Sequence, residues 1–172
     1  LAPACVIIGA AVLFSGRPVS GGGRVGHIGL VDGDVVDMSN LQRQIIHTTA
    51  RVGAPKVESA ATAIRALNRI DGDTYYELVD ASNIAGLEPY DLVIDATDNF
   101  AAKFLINDAC VLAGKPYIHA GVVGFAGQVM TVIPGEGPAT AASSATCPPP
   151  VDSDLQGSGV LGAVVGVIGS LE

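Results

Sequence analysis

Ala4-Cys5-Val6-Ile7-Ile8-Gly9 is a short apolar run that stops at a glycine. Such a run, apolar on both faces, reads as a strand buried inside a parallel sheet. His27-Ile28-Gly29-Leu30-Val31-Asp32 has the same form and ends in acid. Asp91-Leu92-Val93-Ile94-Asp95 is apolar and bracketed by acids. Thr74–Val79 and Tyr117–Ala120 supply a third and a fifth strand, and Gly127–Ile133 alternates enough for a sixth. Pro55 opens a helix whose apolar positions Val57, Ala60, Ala61, Ile64 and Leu67 recur near helical spacing. Asn99–Ala113 reads as a second helix, and a last one begins near Val160. Strands alternating with helices predict crossover units: an α/β, Rossmann-like fold, its mostly parallel sheet covered by helices on both faces. Ser15–Gly26 is Gly-rich without periodicity, and residues 135–158 form an irregular linker rich in Pro, Ala, Ser and Gly. No internal repeat is present.

The 172 residues, 17.3 kDa, suit one domain over 1–172. Hydrophobic residues make up 49% and charged residues 15%, with a mean hydropathy of +0.46, which excludes an intrinsically disordered chain. With 9 Lys+Arg against 17 Asp+Glu the net charge is −8, which argues against general nucleic-acid binding by phosphate neutralisation. Cys5, Cys110 and Cys147 are too scattered for a disulfide framework, so a reducing compartment is the default. No Lys or Arg precedes Arg17, so Val6–Leu13 lacks the basic flank of a signal peptide. Val160–Leu171 spans 12 residues broken by Gly162, Gly166 and Gly169, short of the roughly 18 that cross a bilayer. The expectation is a soluble cytoplasmic protein with no membrane partner. The chain starts at Leu1 and stops at Glu172 inside an apolar pattern, so a fragment at both ends is expected.

Ligands of doubly wound sheets bind beyond the carboxyl ends of the strands. The residues there are Gly9 after strand one, Asp32 and Asp34 after strand two, and Asp95, Thr97, Asp98 and Asn99 after strand four. Asp32 suits a ribose-binding acid, and equally a turn or helix cap. Ser39-Asn40-Leu41-Gln42-Arg43-Gln44 and then Pro55-Lys56 bring a guanidinium and an ammonium. Both suit phosphate, Lys56 at a helix start whose free N–H groups also favour anions. The bland alternative is a pair of solvated surface charges. Asp98-Asn99 offers either an N-cap or a hard-oxygen Mg²⁺ ligand. His47 and His119 read as structural, since no nucleophile or acid stands at a telling spacing, and Cys110 reads as a buried small hydrophobe.

Together, Gly29-Leu30-Val31-Asp32-Gly33-Asp34-Val35-Val36-Asp37-Met38-Ser39-Asn40-Leu41-Gln42-Arg43-Gln44, Val52–Ala60, Asp95-Ala96-Thr97-Asp98-Asn99, Gly159-Val160-Leu161-Gly162 and Gly166–Leu171 resemble the MoeB/ThiF family. These are adenylyltransferases of sulfur-carrier proteins, related to ubiquitin-activating enzymes. The resemblance implies binding of ATP and Mg²⁺, transfer of AMP to the C-terminal glycine of a small ubiquitin-like sulfur carrier, and a homodimer. It implies that Gly9, Asp32, Asp34, Ser39, Asn40, Leu41, Gln42, Arg43, Lys56, Asp98 and Asn99 line the nucleotide site. Within it Asp32 would hold the ribose, Asn40, Arg43 and Lys56 the phosphates, and Asp98 the metal. Arg43, Lys56 and Asp98 would be the catalytic set.

Two departures stand out. The family has a turn Gly-x-Gly-Gly-Leu-Gly where Gly9 is here followed by Ala10-Ala11-Val12-Leu13-Phe14. Many members hold structural Zn²⁺ with two CxxC pairs; Ala139–Ala145 stands where the first belongs, Leu155 near a reactive cysteine, and the second would lie beyond Glu172. Suitable codons read out of frame restore Gly-Gly-Leu from Ala10–Leu13, an amphipathic helix from Phe14–Arg24 and a CxxC from Pro138–Ser144; Asp152–Gln156 can yield Ile-Pro-Thr-Cys-Arg. We therefore read these stretches as frameshifted, against the alternative of divergence with loss of zinc. A degenerate carrier-binding or dimerisation module, and a tRNA-modifying dehydratase of the same superfamily, are the rival functions.

Overall fold

A computed structural model describes residues 3–9, 25–68, 70, 72–136 and 160–171. The stretches read as frameshifted (10–24, 138–144 and 152–156), most of the linker 135–158, and Cys147 lie outside the described residues. The strands are β1 (Ala4–Ile8), β2 (His27–Val31), β3 (Gly72–Tyr75), β4 (Leu92–Asp95), β5 (Tyr117–Val123) and β6 (Ala126–Val132). The helices are α1 (Lys56–Asn68), α2 (Phe100–Leu112) and α3 (Gly162–Leu171). The sheet runs β3-β2-β1-β4-β5-β6. Its first five strands are parallel and β6 is antiparallel to β5.

Alternation along β1 builds both layers. Cys5 and Ile7 join Ile28, Leu30 and the α1 residues Val57, Ala60, Ala61 and Ile64 on one face. Val6 and Ile8 join Val93, Ile106, Cys110 and Tyr117 on the other, against α2. The expected α/β architecture, with helices on both faces, is what the chain adopts. α3 packs on β5 and β6, with Ile168 lying over Gly127.

Three details differ from expectation. Leu67 is 69% exposed, because the last turn of α1 overhangs the apolar cluster that ends at Ile64. The third strand is Gly72–Tyr75, not Thr74–Val79. Its ladder stops where β2 stops, with Asp32 N donating to Tyr75 O; beyond it Asp80 accepts from Ser82 N, and Asn83 donates to Leu78 O, so that the chain turns. β5 runs past the expected Ala120 to Val123 and turns at Gly124-Phe125 into β6 as a seven-residue ladder, Ala126–Val132 rather than Gly127–Ile133.

Candidate functional site at the switch point

β1 lies between β2 and β4, and the chain builds outward to β3 on one side and β5 on the other. The carboxyl ends of β1 and β4 are therefore the topological switch point of the sheet. Gly9 closes β1 there: its N–H donates to Val31 O at 2.8 Å and its φ is +88°. A Cβ at this position would stand 2.7 Å from Ala96 O and 3.1 Å from Thr97 N. Bare backbone at the end of β1 thus lies against the turn leading from β4 to α2.

Asp32 follows β2 and is buried, its Oδ1 accepting from Asp34 N at 2.8 Å. Asp34 is clamped to the start of α1. Its carbonyl accepts from Lys56 N at 3.0 Å and its carboxylate from Lys56 Nζ at 2.7 Å. The Lys56 side chain is 7% exposed and that of Asp34 is 64% exposed. Two expectations change. Lys56 is not a solvated surface charge, because its stem is buried beside the apolar face of α1. The N–H of Lys56 is also not free for an anion, because Asp34 already holds it; the ammonium is the group facing the edge.

Between these acids and α1 the chain makes two 3₁₀ turns, Met38–Asn40 and Thr49–Arg51. Asp37 caps the first through Ser39 N at 2.8 Å and Ser39 Oγ at 2.6 Å, which engages the Ser39 hydroxyl. The Ser39 bonds hold the Asp37 carboxyl below the usual range. Asn40 O accepts from Arg43 N and Gln44 N, setting Arg43 half-buried one turn on. Leu41 is half-buried and Gln42 exposed, and α3 begins against them: a Cβ at Gly162 would lie 2.8 Å from Gln42 O. His47 and Arg51 tie this loop to α1, His47 Nδ1 bonding Ser59 Oγ at 2.9 Å and Arg51 donating to Ser59 O. Burial first, then the charges of Lys56 and Arg51, push the His47 pKa down to about 4. His47 therefore joins the loop to α1 through Ser59.

The acids after β4 divide. Asp95 is fully buried and serves the interior. Asp98 is exposed at the switch point, and Asn99 is the N-cap of α2, its side chain accepting from Ala102 N at 2.8 Å. The cap reading holds for Asn99. Among the described residues no three His, Cys, Asp or Glu side chains cluster as a self-sufficient metal site. Mg²⁺ takes only one or two protein carboxylates and completes its shell with phosphate and water, so the single exposed carboxylate of Asp98 is chemically compatible with it. Sequence reasoning missed Lys103, whose Nζ reaches Asp95 Oδ2 at 3.1 Å and Ala120 O at 2.6 Å. The available signal was a lone cation within the apolar sequence of α2. Cys5 and Cys110 are buried free thiols, each pushed up to about 12 mainly by burial, so both are inert.

The order β3-β2-β1-β4-β5-β6 with helices on both faces defines a doubly wound, Rossmann-like α/β domain. The chain belongs to the ThiF family, whose profile matches residues 20–172. It is 44% identical over 152 residues to the adenylyltransferase and sulfurtransferase MOCS3 of Arabidopsis thaliana, covering 86% of this chain and 32% of that protein. It is 38% identical over 159 residues to the SAMP-activating enzyme E1 of Haloferax volcanii, covering 86% of this chain and 56% of that one. The crystal structure of E. coli MccB with AMPCPP and MccA shares the fold, with a TM-score of 0.73 and 22% identity over 97% of this chain and 52% of that chain. The chain thus spans between a third and just over half of these relatives. No helix among the described residues is long and apolar enough to cross a membrane.

Proposed function

We propose that this chain is the nucleotide-binding part of an ATP-dependent adenylyltransferase. It would attach AMP to the C-terminal glycine carboxylate of a small ubiquitin-like sulfur carrier and release pyrophosphate. The observation that carries the reading is the buried Lys56 ammonium, held at the carboxyl edge of the sheet by a mostly exposed carboxylate in a ThiF-family chain. A triphosphate can share or take that ammonium from Asp34 at small cost, since the Asp34 carboxylate is already largely in water. In this reading Asp32 binds the ribose hydroxyls, and Asn40, Arg43 and Lys56 receive the phosphates. Asp34, Ser39, Leu41 and Gln42 complete that wall, and Gly9 lets the end of β1 come close. Mg²⁺ held by Asp98, with Asn99 beside it, would supply further neutralisation of phosphate charge. A carboxylate oxygen of the carrier attacks the α-phosphorus, and the bond to the bridging oxygen breaks. Arg43 and Lys56 stabilise the negative charge that builds on pyrophosphate. A homodimer in the cytoplasm is the proposed assembly and location; the two buried free thiols support a reducing compartment.

The test is carrier-dependent ATP–pyrophosphate exchange. Asp98→Ala is expected to abolish Mg²⁺-dependent exchange with an unchanged melting transition, since Asp98 is exposed. Retained exchange overturns the metal assignment. Arg43→Ala is expected to lower the rate by about 100-fold or more, and a loss of only a few-fold makes it a surface charge. A second reading, a non-catalytic carrier-binding or dimerisation module, is favoured by Ala10–Phe14 standing in place of a glycine turn. Carrier binding without exchange would decide for it.

A further inference from the structure

Resting on that reading, we propose that His119 is a positioning residue for adenylation: through Asp95 it holds the Thr97–Asp98 turn in place. Asp95 and His119 are register partners on β4 and β5. His119 Nδ1 lies 2.9 Å from Asp95 Oδ2, and His119 Nε2 lies 3.2 Å from Gln128 Nε2. An amide nitrogen only donates, so Nε2 accepts and the imidazole proton sits on Nδ1, which donates to Asp95. Asp95 Oδ1 meanwhile accepts from Thr97 N at 3.0 Å and from Thr97 Oγ1 at 2.7 Å. Lys103 already balances the charge of Asp95 at 3.1 Å, so the imidazole is not needed as a counter-ion. Its contribution is directional: with Lys103 it fixes Oδ2, and the carboxylate plane then fixes Thr97 through Oδ1.

Thr97 precedes Asp98, and the backbone of Ala96 and Thr97 is the surface against which Gly9 lies. Rotation of the Asp95 carboxylate would therefore shift the turn that carries Asp98. A displacement of about 1 Å in a positioned group costs on the order of 100-fold in rate. The four-member set His119, Asp95, Lys103 and Thr97 is buried or half-buried, so water does not substitute readily for a lost member.

His119→Leu keeps volume without a donor, and His119→Asn places an amide nitrogen near the position of Nδ1. Measured by carrier-dependent exchange, His119→Leu is expected to lower kcat about tenfold or more with KM for the carrier nearly unchanged. It is also expected to raise the Mg²⁺ concentration for half-maximal exchange, while His119→Asn recovers most of both. Calorimetry gives a readout independent of turnover: His119→Leu should weaken ATP binding in Mg²⁺ but not in EDTA. Asp98→Ala is the control. If it abolishes exchange while His119→Leu leaves kcat and Mg²⁺ dependence unchanged, the positioning role is overturned and the adenylation reading stands. If Asp98→Ala leaves exchange unchanged, the metal assignment and the positioning role fall together and the adenylation reading stands; if the natural chain shows no exchange, the adenylation reading falls. Equal losses in the Leu and Asn variants assign the effect to ring packing and overturn the proposal. Should His119→Leu fail to fold, Thr97→Val carries the test, because it keeps volume and removes the half-buried hydroxyl bond by which Asp95 Oδ1 holds the turn; a fall in kcat with KM unchanged supports the role, and no change overturns it.

Discussion

Lys56 illustrates how far a single residue can be read. Its place after Pro55 marked it as an anion ligand, but its burial depends on the apolar face of α1 meeting the loop that follows β2. That is a tertiary fact which no local pattern carries. Lys103 went unread for the same reason, since its partner Asp95 lies on another element. His47 lends itself to a titration. Its folded pKa of about 4 lies below the ordinary 6.5, so the unfolded chain binds the extra proton between those values. Its contribution to stability is complete above pH 6.5 and is lost as pH falls towards 4, by up to about 3 kcal/mol. His47→Asn retains a polar group near Ser59 but does not titrate there. Urea denaturation from pH 7.5 to 4.5 should show a steeper fall in stability for the natural chain than for this variant. Parallel curves would show that His47 is solvated in the folded state.

Among the elements, the junction of β1 with the β4–α2 turn is the most constrained. Gly9 and Gly53 have nearly the same dihedral, φ +88° and +87°, but a Cβ at Gly53 meets nothing within 4 Å. Gly53→Ala should therefore cost about 1 kcal/mol for the left-handed backbone alone. Gly9→Ala adds a collision with Ala96 O and Thr97 N, and should cost about 2 kcal/mol or more while depressing nucleotide binding. Equal costs in paired urea denaturations would show that the β4–α2 turn yields to the methyl. The buried parallel strands were legible because each is a short apolar run bracketed by acid or glycine, as in Leu92–Asp95. The ends of β3 and the β5–β6 hairpin were not. One ends because its neighbour ends, and the other persists through Gly121 because the antiparallel ladder closes across it. Both boundaries are set by pairing partners rather than by the residues themselves.

At the scale of the whole molecule, the topology gathers the candidate site. Gly9 meets Ala96 and Thr97 because β1 lies between β2 and β4, and α3 reaches Gln42 from far along the chain. That convergence was legible once the strands alternated with helices, whereas the contact of α3 with Gln42 had no local signature. The same topology makes the glycine turn a question about the whole fold. In the proposed reading the switch point faces a triphosphate, and the close approach begun at Gly9 requires further glycines to follow. Ala10-Ala11-Val12-Leu13-Phe14 does not provide them, although the surrounding motifs from Gly29 to Asn99 are intact. Divergence would be expected to wear those motifs along with the turn, whereas paired insertions and deletions damage bounded stretches and spare the rest. Resequencing the coding DNA across codons 9–26 and 136–160 is therefore expected to reveal compensating indels. The corrected protein would carry Gly-Gly-Leu after Gly9 and a CxxC pair, and would support carrier-dependent exchange. If the DNA encodes the residues as given, sequencing error is excluded and the turn is absent from the protein. Exchange should then be weak or absent while the carrier still binds.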